Sequence, residues 1–520
     1  MGKNGNEPIE LSELGPLKIL LKGAGLAFLG LALTKGSQYI FRLLIAREGA
    51  ELYGVFSLGF TIFSIAGMLS FLGMTTGLYR YLPKERAGGR MDGIASFLKS
   101  ALQIASVTSI LLLLLMFFLS DWIAQSMFHD GRVSIVIKIL AIGLPFYAFT
   151  GLFLAVINSF FKNQYDVVSK TIGESFIRLI LAAFAILLGY GLLGVSVAYL
   201  ISIFATFLLS FYFMEKRVFP FFGKAYKAKP RHFELLKFSI PLMLSGVVFL
   251  FINWTDSILL GIYRSVSEVG VYNTALPTAG LLLMFPNALT TLLAPLVSDL
   301  LAKKKRFELG RTYQTANKWI FLLNLPALLV MALFPSQALT ILFGQEYAKA
   351  GPSLVILSVA NLFYSLTLSA TFVLSSAGRS KDLLINSLIA AVMSIALNLA
   401  LIPAYGISGA ALGTGISLLA YGAISAYQVK RLIGFWPMAK TTFRILAAGT
   451  VTLAIPLVAS IYLDVGGSLV NLALIGIATI AAYALMLFAL KAFDPLDVKM
   501  VEAIEGKLSI ELGPIKSLMK

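Results

Sequence analysis

Long apolar stretches separated by short polar gaps recur along almost the whole chain. A helix needs about 20 apolar residues to cross a bilayer, and about fourteen stretches approach that length. Uninterrupted apolar runs such as Ile110 to Leu119 lack the alternation of a membrane β-strand, so helices are predicted. The predicted spans are 17–46, 52–82, 94–120, 134–160, 166–188, 192–214, 236–262, 268–300, 313–334, 351–376, 382–402, 407–428, 442–462 and 468–491.

Lysine and arginine are concentrated in every second gap between these spans. The rich gaps lie within 84–90, 162–170, 216–237, 303–311, 379–381 and 430–444, whereas the alternate gaps hold only Arg47, Arg132, Arg264 and Lys349. Basic gaps stay on the cytoplasmic side of a membrane. We call the side that holds them the basic end. The pattern predicts a multi-pass protein of the cytoplasmic membrane with both termini in the cytoplasm.

Composition agrees with this assignment and excludes several other classes. Hydrophobic residues make up 58% of the 520 residues and charged residues 13%, which exceeds what a soluble core can bury. The net charge of +17 is spread over short gaps, so it favours orientation and anionic lipid headgroups over nucleic acid. The chain has no cysteine, and His129 and His232 lie outside the spans. No metal site is therefore expected.

A second periodicity relates the two halves of the chain. Residues 51–56 recur as 267–272, with Gly54 falling on Gly270, 216 residues later. Further matched pairs are 166–168 with 382–384, 190–195 with 405–410, and 216–217 with 430–431. The offset covers six predicted helices, an even number, so the halves are parallel repeats. The predicted fold is all-α, with two parallel six-helix repeats plus two extra C-terminal helices.

The repeat divides the chain into two bundles and shorter flanking segments. The predicted parts are a cytoplasmic N-terminal segment (1–16), a first bundle (17–215), a cytoplasmic linker (216–235), a second bundle (236–431), helices 13 and 14 (432–493) and a cytoplasmic tail (494–520). Two bundles around one axis enclose a cavity, and rocking one against the other gives alternating access. A monomeric transporter without a cofactor is expected.

Four short motifs carry a family resemblance. They are Gly77 to Glu85, Phe238 to Pro241, Phe343 to Tyr347 and Asn398 to Ala411. Together the motifs, which are turn and packing signatures, resemble the polysaccharide-transport branch of the multidrug, oligosaccharidyl-lipid and polysaccharide exporter superfamily over helices 1 to 12. The resemblance implies a flippase for lipid-linked oligosaccharides on a polyprenyl or dolichyl (pyro)phosphate carrier. It also implies a role in surface polysaccharide or glycan biosynthesis that would allow contact with glycan-assembly enzymes.

Predicted helix 1 carries polar residues within an apolar stretch. Lys35, Gln38 and Arg42 have the spacing that places side chains on one helix face. Packing needs no cations there, and arginine presents a planar fork that matches phosphate oxygens. These residues are candidates for binding the headgroup phosphate. The alternative is that Arg42 extends along the helix to the membrane interface.

Predicted helix 5 carries Lys170, Glu174 and Arg178 at four-residue spacing. Ionisable groups inside a span are costly and by default face a cavity. Glu174 and Arg178 are therefore expected to line the cavity, with Arg178 among the phosphate-binding residues. The alternative is a structural ion pair, because opposite charges one turn apart neutralise each other.

Predicted helix 7 carries Asn253 and Asp256, which are candidates for a polar cavity or a coupling site. A buried carboxylate without a partner is costly, so we expect Asp256 to pair with Lys35 or Arg42. A carboxylate that exchanges a cation partner for a proton or Na⁺ would couple transport to an ion gradient. The alternative is a static salt bridge between helices.

The charges also separate the competing functions. A cation-coupled multidrug exporter of the same superfamily would favour carboxylates, whereas Lys35, Arg42 and Arg178 outnumber Asp256 and Glu174. A membrane enzyme such as a glycosyltransferase would need a catalytic loop or paired carboxylates. The longest interior gap, 215–237, is basic and has Glu234 as its only further acid. A flippase is thus favoured over an exporter, and both over an enzyme.

Overall fold

The computed structural model describes residues 33–454, 457–458, 469–493 and 497, and helices account for most of them. The helices are α1 (33–46), α2 (Ala50–Ser70), α3 (Met74–Ala87), α4 (Met91–Trp122), α5 (Arg132–Ala141), α6 (Leu144–Ser159), α7 (Asn163–Val168), α8 (Ile177–Leu187), α9 (Gly191–Phe213), α10 (His232–Tyr263), α11 (Val266–Gly280), α12 (Met284–Ala302), α13 (Arg306–Leu333), α14 (Pro335–Phe343), α15 (Gly351–Ser376), α16 (Ser380–Ile433), α17 (Lys440–Thr452) and α18 (Leu469–Ala489).

These helices confirm the predicted all-α membrane fold. Within the described ranges, seven helical stretches are long and apolar enough to cross a membrane, and α5 with α6 makes an eighth despite a bend of 44° between them. Each predicted span that lies within those ranges coincides with a helix, with a pair of helices in sequence or, for spans 11 and 12, with part of the long helix α16. Residues 17–32 of the first predicted span lie outside the described residues.

Several predicted spans are interrupted in ways that the apolar pattern does not show. The second span breaks between α2 and α3, where Leu72 and Gly73 have positive φ values of 44° and 70°. The eighth span passes through a 3₁₀ turn, Leu281–Leu283, between Pro277 and Pro286. Spans 11 and 12 form one continuous element, α16, kinked at Gly406 with φ 54° and ψ −130°. A short extra helix, α14, lies in the gap before α15.

The two halves meet along α2 and α11 in a reciprocal close contact. A β-carbon on Gly54 would lie 1.9 Å from the carbonyl oxygen of Val266, and one on Gly270 would lie 1.9 Å from that of Ala50. The offset of the repeat relates both glycines to each other and also Ala50 to Val266. The contact therefore has local two-fold symmetry. Glycine is needed at both positions because the helix backbones touch.

Polar contacts reinforce this junction at the end of the molecule opposite the basic end. The Ala50 N–H donates to Glu346 Oε1 at 2.7 Å, and the Tyr53 hydroxyl donates to the carbonyl oxygen of Asn273 at 3.0 Å. The Arg47 guanidinium donates to the carbonyl oxygens of Ile341 and Leu342. The largest buried apolar cluster also contains residues of both halves. The halves are thus joined at this end.

Candidate functional site

A cavity of about 130 Å³ lies in the first half, where it meets α10 and α11. We call it the arginine cavity. Its lining residues are Gln38, Phe41, Arg42, Ile45, Tyr53, Phe56, Ser57, Phe60, Glu174, Arg178, Tyr199, Trp254 and Asn273. Since a water takes up about 30 Å³ in the liquid, the cavity has room for roughly four waters or one phosphate-sized group.

Arg178 is the most unusual group in this cavity. Its side chain is only 3% exposed, and its guanidinium lies 4.8 Å from the ring centre of Phe41 and 5.0 Å from that of Tyr199. The Glu174 carboxylate is 3.7 Å away. Within the described part of the chain, Nε and Nη2 have no hydrogen-bond partner. Buried donors of this kind are costly unless a ligand satisfies them.

A π-helical segment, Ser169–Phe176, places Glu174 and connects α7 to α8. Such segments insert extra residues into a turn and are frequent at functional sites. Close packing holds the segment, since a β-carbon on Gly173 would lie 2.8 Å from Thr206 Cα. Lys170 is exposed and pairs with Asp166 at 2.9 Å rather than with Glu174. Of the three charged residues at four-residue spacing, Glu174 and Arg178 thus pair with each other, whereas Lys170 pairs with Asp166 outside the cavity.

Helix α1 contributes two of its three predicted residues to the arginine cavity. Gln38 and Arg42 line the cavity and are half-buried. Lys35 lies one turn away, is exposed and does not line the cavity. Of the three residues predicted to share one face of this helix, only Gln38 and Arg42 therefore reach the cavity.

Three further lining residues were not singled out from the sequence. Trp254 and Asn273 come from the second half, and Tyr199 comes from α9. The Trp254 ring meets Phe60 edge to face, with centroids 5.8 Å apart. An aromatic residue in an apolar helix carries no periodic signal that separates a cavity wall from the core. Only the packing of α9, α10 and α11 around the cavity reveals these contributions.

A second cavity, of about 390 Å³, lies within the second half. We call it the aspartate cavity. Its lining residues are Asp256, Leu276, Gly280, Leu283, Asn287, Asn361, Tyr364, Leu368, Ser387, Ala390, Thr414, Leu418 and Tyr421. Apart from Asp256, the polar members are hydroxyls and amides, which are neutral ligands for a small cation.

Asp256 has different partners from those expected. Its carboxylate accepts hydrogen bonds from the Tyr272 hydroxyl at 2.7 Å and the Thr414 hydroxyl at 3.3 Å. It also accepts one from the Ser257 N–H at 2.7 Å. No ion pair with Lys35 or Arg42 is found among the described residues. The expected pairing is wrong because hydroxyl donors of the second half already satisfy the buried carboxylate.

Two remaining predictions concern this region. Asn253 lies in α10, but its side chain is outside the described residues, so it stays a prediction. The part of the chain that the structure describes contains no group of three or more His, Cys, Asp or Glu residues arranged to hold a metal. What the two cavities can do is bind an anionic group on one side and a proton or small cation on the other.

Comparison with known proteins reveals relatives of the whole chain and of its parts. An uncharacterized membrane protein of Methanocaldococcus jannaschii is 24% identical over 498 residues, which is 92% of this chain and 97% of that protein. The probable low-salt glycan biosynthesis flippase Agl15 of Haloferax volcanii is 25% identical over 201 residues, 39% of this chain and 42% of that protein.

The fold has a counterpart among solved structures. The lipid II flippase MurJ in an inward closed conformation superposes with a TM-score of 0.72 at 16% identity, covering 91% of this chain and 99% of that one. This likeness is one of fold. Residues 241–400 match the MatE family model, and residues 20–301 match the family model described as polysaccharide biosynthesis protein. Because the latter match spans more than half of the chain, the protein belongs to this family of multi-pass membrane proteins, in the polysaccharide-transport branch of the superfamily that the sequence motifs resemble.

Proposed function

We propose that the protein is a flippase that moves a lipid-linked oligosaccharide across the cytoplasmic membrane by alternating access. The carrier lipid would be a polyprenyl or dolichyl (pyro)phosphate, and the product would serve surface polysaccharide or glycan biosynthesis. The observation that carries this proposal is Arg178, a buried cation with two unpartnered nitrogens that lines a phosphate-sized cavity. The family and the relative Agl15, a probable glycan flippase, support the same reading.

The proposed roles divide between the two cavities. Arg178, Arg42 and Gln38 would hold the headgroup phosphate, and Lys35, one turn away, would contribute from outside the cavity. Asp256 would carry the coupling proton or Na⁺, with Asn253 and Glu174 as further polar groups. The arginine cavity is too small for the sugars, so the halves would separate further to admit them.

A direct test compares two substitutions within the same predicted span, 166–188. Arg178→Gln removes the cation while leaving a neutral side chain, which is cheaper to bury in a membrane. Each charge-assisted hydrogen bond is worth about 1.5 to 3 kcal/mol, so the apparent affinity for a lipid-linked oligosaccharide in reconstituted vesicles should fall at least about tenfold. Lys170→Gln, whose ion pair lies outside the cavity, is the matched control. Equal flipping by wild type and Arg178→Gln would refute a role for Arg178 in holding the headgroup phosphate.

A cation-coupled multidrug exporter is the second candidate, favoured by the MatE match and the buried Asp256. The same vesicles separate the two functions. An exporter would transport organic cations whether or not Arg178 is present, whereas a flippase would not transport them.

Orientation is part of the proposal, with the basic end in the cytoplasm. Since the chain has no cysteine, single cysteines can replace Gln345, exposed at the opposite end, and Ser380, exposed at the basic end. An impermeant thiol reagent added to intact cells should label position 345 and leave 380 unlabelled. Labelling of 380 alone would reverse the topology.

A further inference from the structure

The linker between the two halves lies along the start of α4. Its backbone N–H groups at Lys227, Lys229 and Arg231 donate to the side chains of Asp92, Ser96 and Ser100 at 3.0, 3.0 and 2.6 Å. Acceptors one helical turn apart are about 6 Å apart. Alternate residues of an extended chain are about 6.6 Å apart, so the linker fits the helix. We call residues 219–231 the strap.

The strap and α4 border an open pocket of about 430 Å³ at the basic end. Two lysines line it, Lys99 from α4 and Lys224 from the strap, together with Gln103 and an apolar wall that includes Leu102 and Phe221. None of its lining residues is acidic. Neither lysine has an ion pair within the described part of the chain. We call this pocket the strap pocket.

The α4 face that forms the strap pocket continues as an exposed apolar stripe. Lys99 and Gln103 are one turn apart, and the same face carries Val107, Leu111 and Phe118, which are 68%, 55% and 75% exposed. Only 17% of the apolar part of this helix is buried. A cationic pocket that opens onto a lipid-facing stripe fits an amphipathic anion better than a free one.

The equivalent place in the second half shows how such a pocket is completed. A pocket of about 410 Å³ lies between α13 and the segment before α17, with Arg311 and Lys318 among its lining residues. There the Asp497 carboxylate accepts hydrogen bonds from Lys318 Nζ and from Trp319 Nε1. In the second half, the chain itself thus supplies a carboxylate that pairs with the basic residue Lys318.

The apolar flank is also covered in the second half. Helix α17 packs so closely on α13 that a β-carbon on Gly449 would lie 2.3 Å from Leu325. Half of the apolar part of α13 is buried, against 17% for α4. In the first half, neither Lys99 nor Lys224 has an ion pair among the described residues, and most of the apolar part of α4 stays exposed.

We propose that the strap pocket binds the phosphate headgroup of an anionic membrane lipid, whose acyl chains lie on the α4 stripe. The lipid supplies what Asp497 and the extra C-terminal helices supply in the second half. Because the strap joins the two bundles, the lipid would also hold this connection on the first bundle. This site is separate from the two cavities and does not depend on the transported substrate.

The test uses the full-length protein in phosphatidylcholine, to which phosphatidylglycerol is added. Native mass spectrometry counts the retained lipid, and the melting temperature reports stabilisation. Each cation near an anionic lipid contributes on the order of a factor of five in binding, so Lys99→Gln with Lys224→Gln should weaken retention by about tenfold or more. The matched control, Lys304→Gln with Lys381→Gln, removes two exposed charges from the same end and should retain the lipid as wild type does.

A second variant and a soluble probe complete the design. Ala225→Trp keeps both lysines but fills the pocket, so it should also lose the lipid, and it decides the result if the lysine variant unfolds in phosphatidylcholine alone. Glycerol phosphate, which has no acyl chain, should not stabilise the protein. Equal loss in the control pair, full retention by both pocket variants, or equal stabilisation by glycerol phosphate would each overturn the proposal.

Discussion

The arginine cavity and the aspartate cavity lie on opposite sides of α10 and differ in their chemistry. Trp254 lines the first and Asp256 the second. Side chains two residues apart on a helix point in nearly opposite directions. In the first cavity a buried cation keeps two donors unpaired. In the second, a buried carboxylate is satisfied by hydroxyls. The arginine cavity is arranged to receive an anion, whereas the aspartate cavity already satisfies the carboxylate of Asp256 with its own hydroxyl groups.

The repeat makes this difference informative. With the same offset, Arg42 falls on Ile258 and Asp256 falls on Ile40, so neither charge is duplicated. The contact between Gly54 and Gly270, in contrast, is present twice. The glycine packing contact is thus present in both halves, whereas each of these two charges occurs in one half only. This asymmetry favours a division in which the first half binds the cargo and the second couples it to an ion.

The strongest challenge to this division is Asp256→Asn. The amide can neither lose a proton nor hold a cation by charge, so the response of transport to an imposed proton or Na⁺ gradient should be lost. Substrate affinity should stay within about twofold, because Asp256 lines the aspartate cavity and not the arginine cavity. Transport in vesicles with and without a gradient, together with binding, measures both quantities.

The control for Asp256→Asn is Tyr272→Phe, which removes one hydrogen bond and keeps the carboxylate, so gradient dependence should persist. Adding Arg42→Gln to Asp256→Asn should restore nothing, since these side chains are not paired. Restored gradient-driven transport in that double variant would instead indicate a static ion pair and would remove the coupling role.

A smaller effect separates two neighbouring cations of α1. Arg42→Gln should weaken substrate binding about tenfold, because a charge-assisted contact is worth roughly 1.5 to 3 kcal/mol. Lys35→Gln should change it by less than about fivefold, since the ammonium group is exposed and such charges contribute up to about 1 kcal/mol. Binding to purified variants in the same lipid gives the ratio. A larger effect at Lys35 than at Arg42 would place the phosphate outside the arginine cavity.

Features that depend on periodicity could be predicted from the sequence. The spans follow from apolar length, and the repeat follows from matched motifs such as 51–56 and 267–272. Gln38, Arg42, Glu174 and Arg178 were identified because charged or polar groups are rare in spans, and all four line one cavity.

Features that depend on tertiary packing could not be predicted. The π-helical segment at 169–176 leaves no mark in hydropathy, and the ion pair of Lys170 with Asp166 was not predicted. The break at Leu72 and Gly73 lacks a proline and follows from packing, since a β-carbon on Gly73 would lie 2.7 Å from the carbonyl oxygen of Ser239. The partners of Asp256 come from α11 and α16, which sequence spacing cannot bring together.

The glycine contact between α2 and α11 has a consequence for how substitutions act on the junction. Each half offers the same surface to the other, with Gly54 against Val266 and Gly270 against Ala50, which is the self-complementary interface of a two-fold homodimer. In such a dimer, one substitution would introduce the clash twice. In the fused chain, a side chain at either glycine is enough to push the helices apart. The protein therefore holds, within a single polypeptide, a contact with the geometry of a two-fold subunit interface, and it needs both glycines to keep that contact.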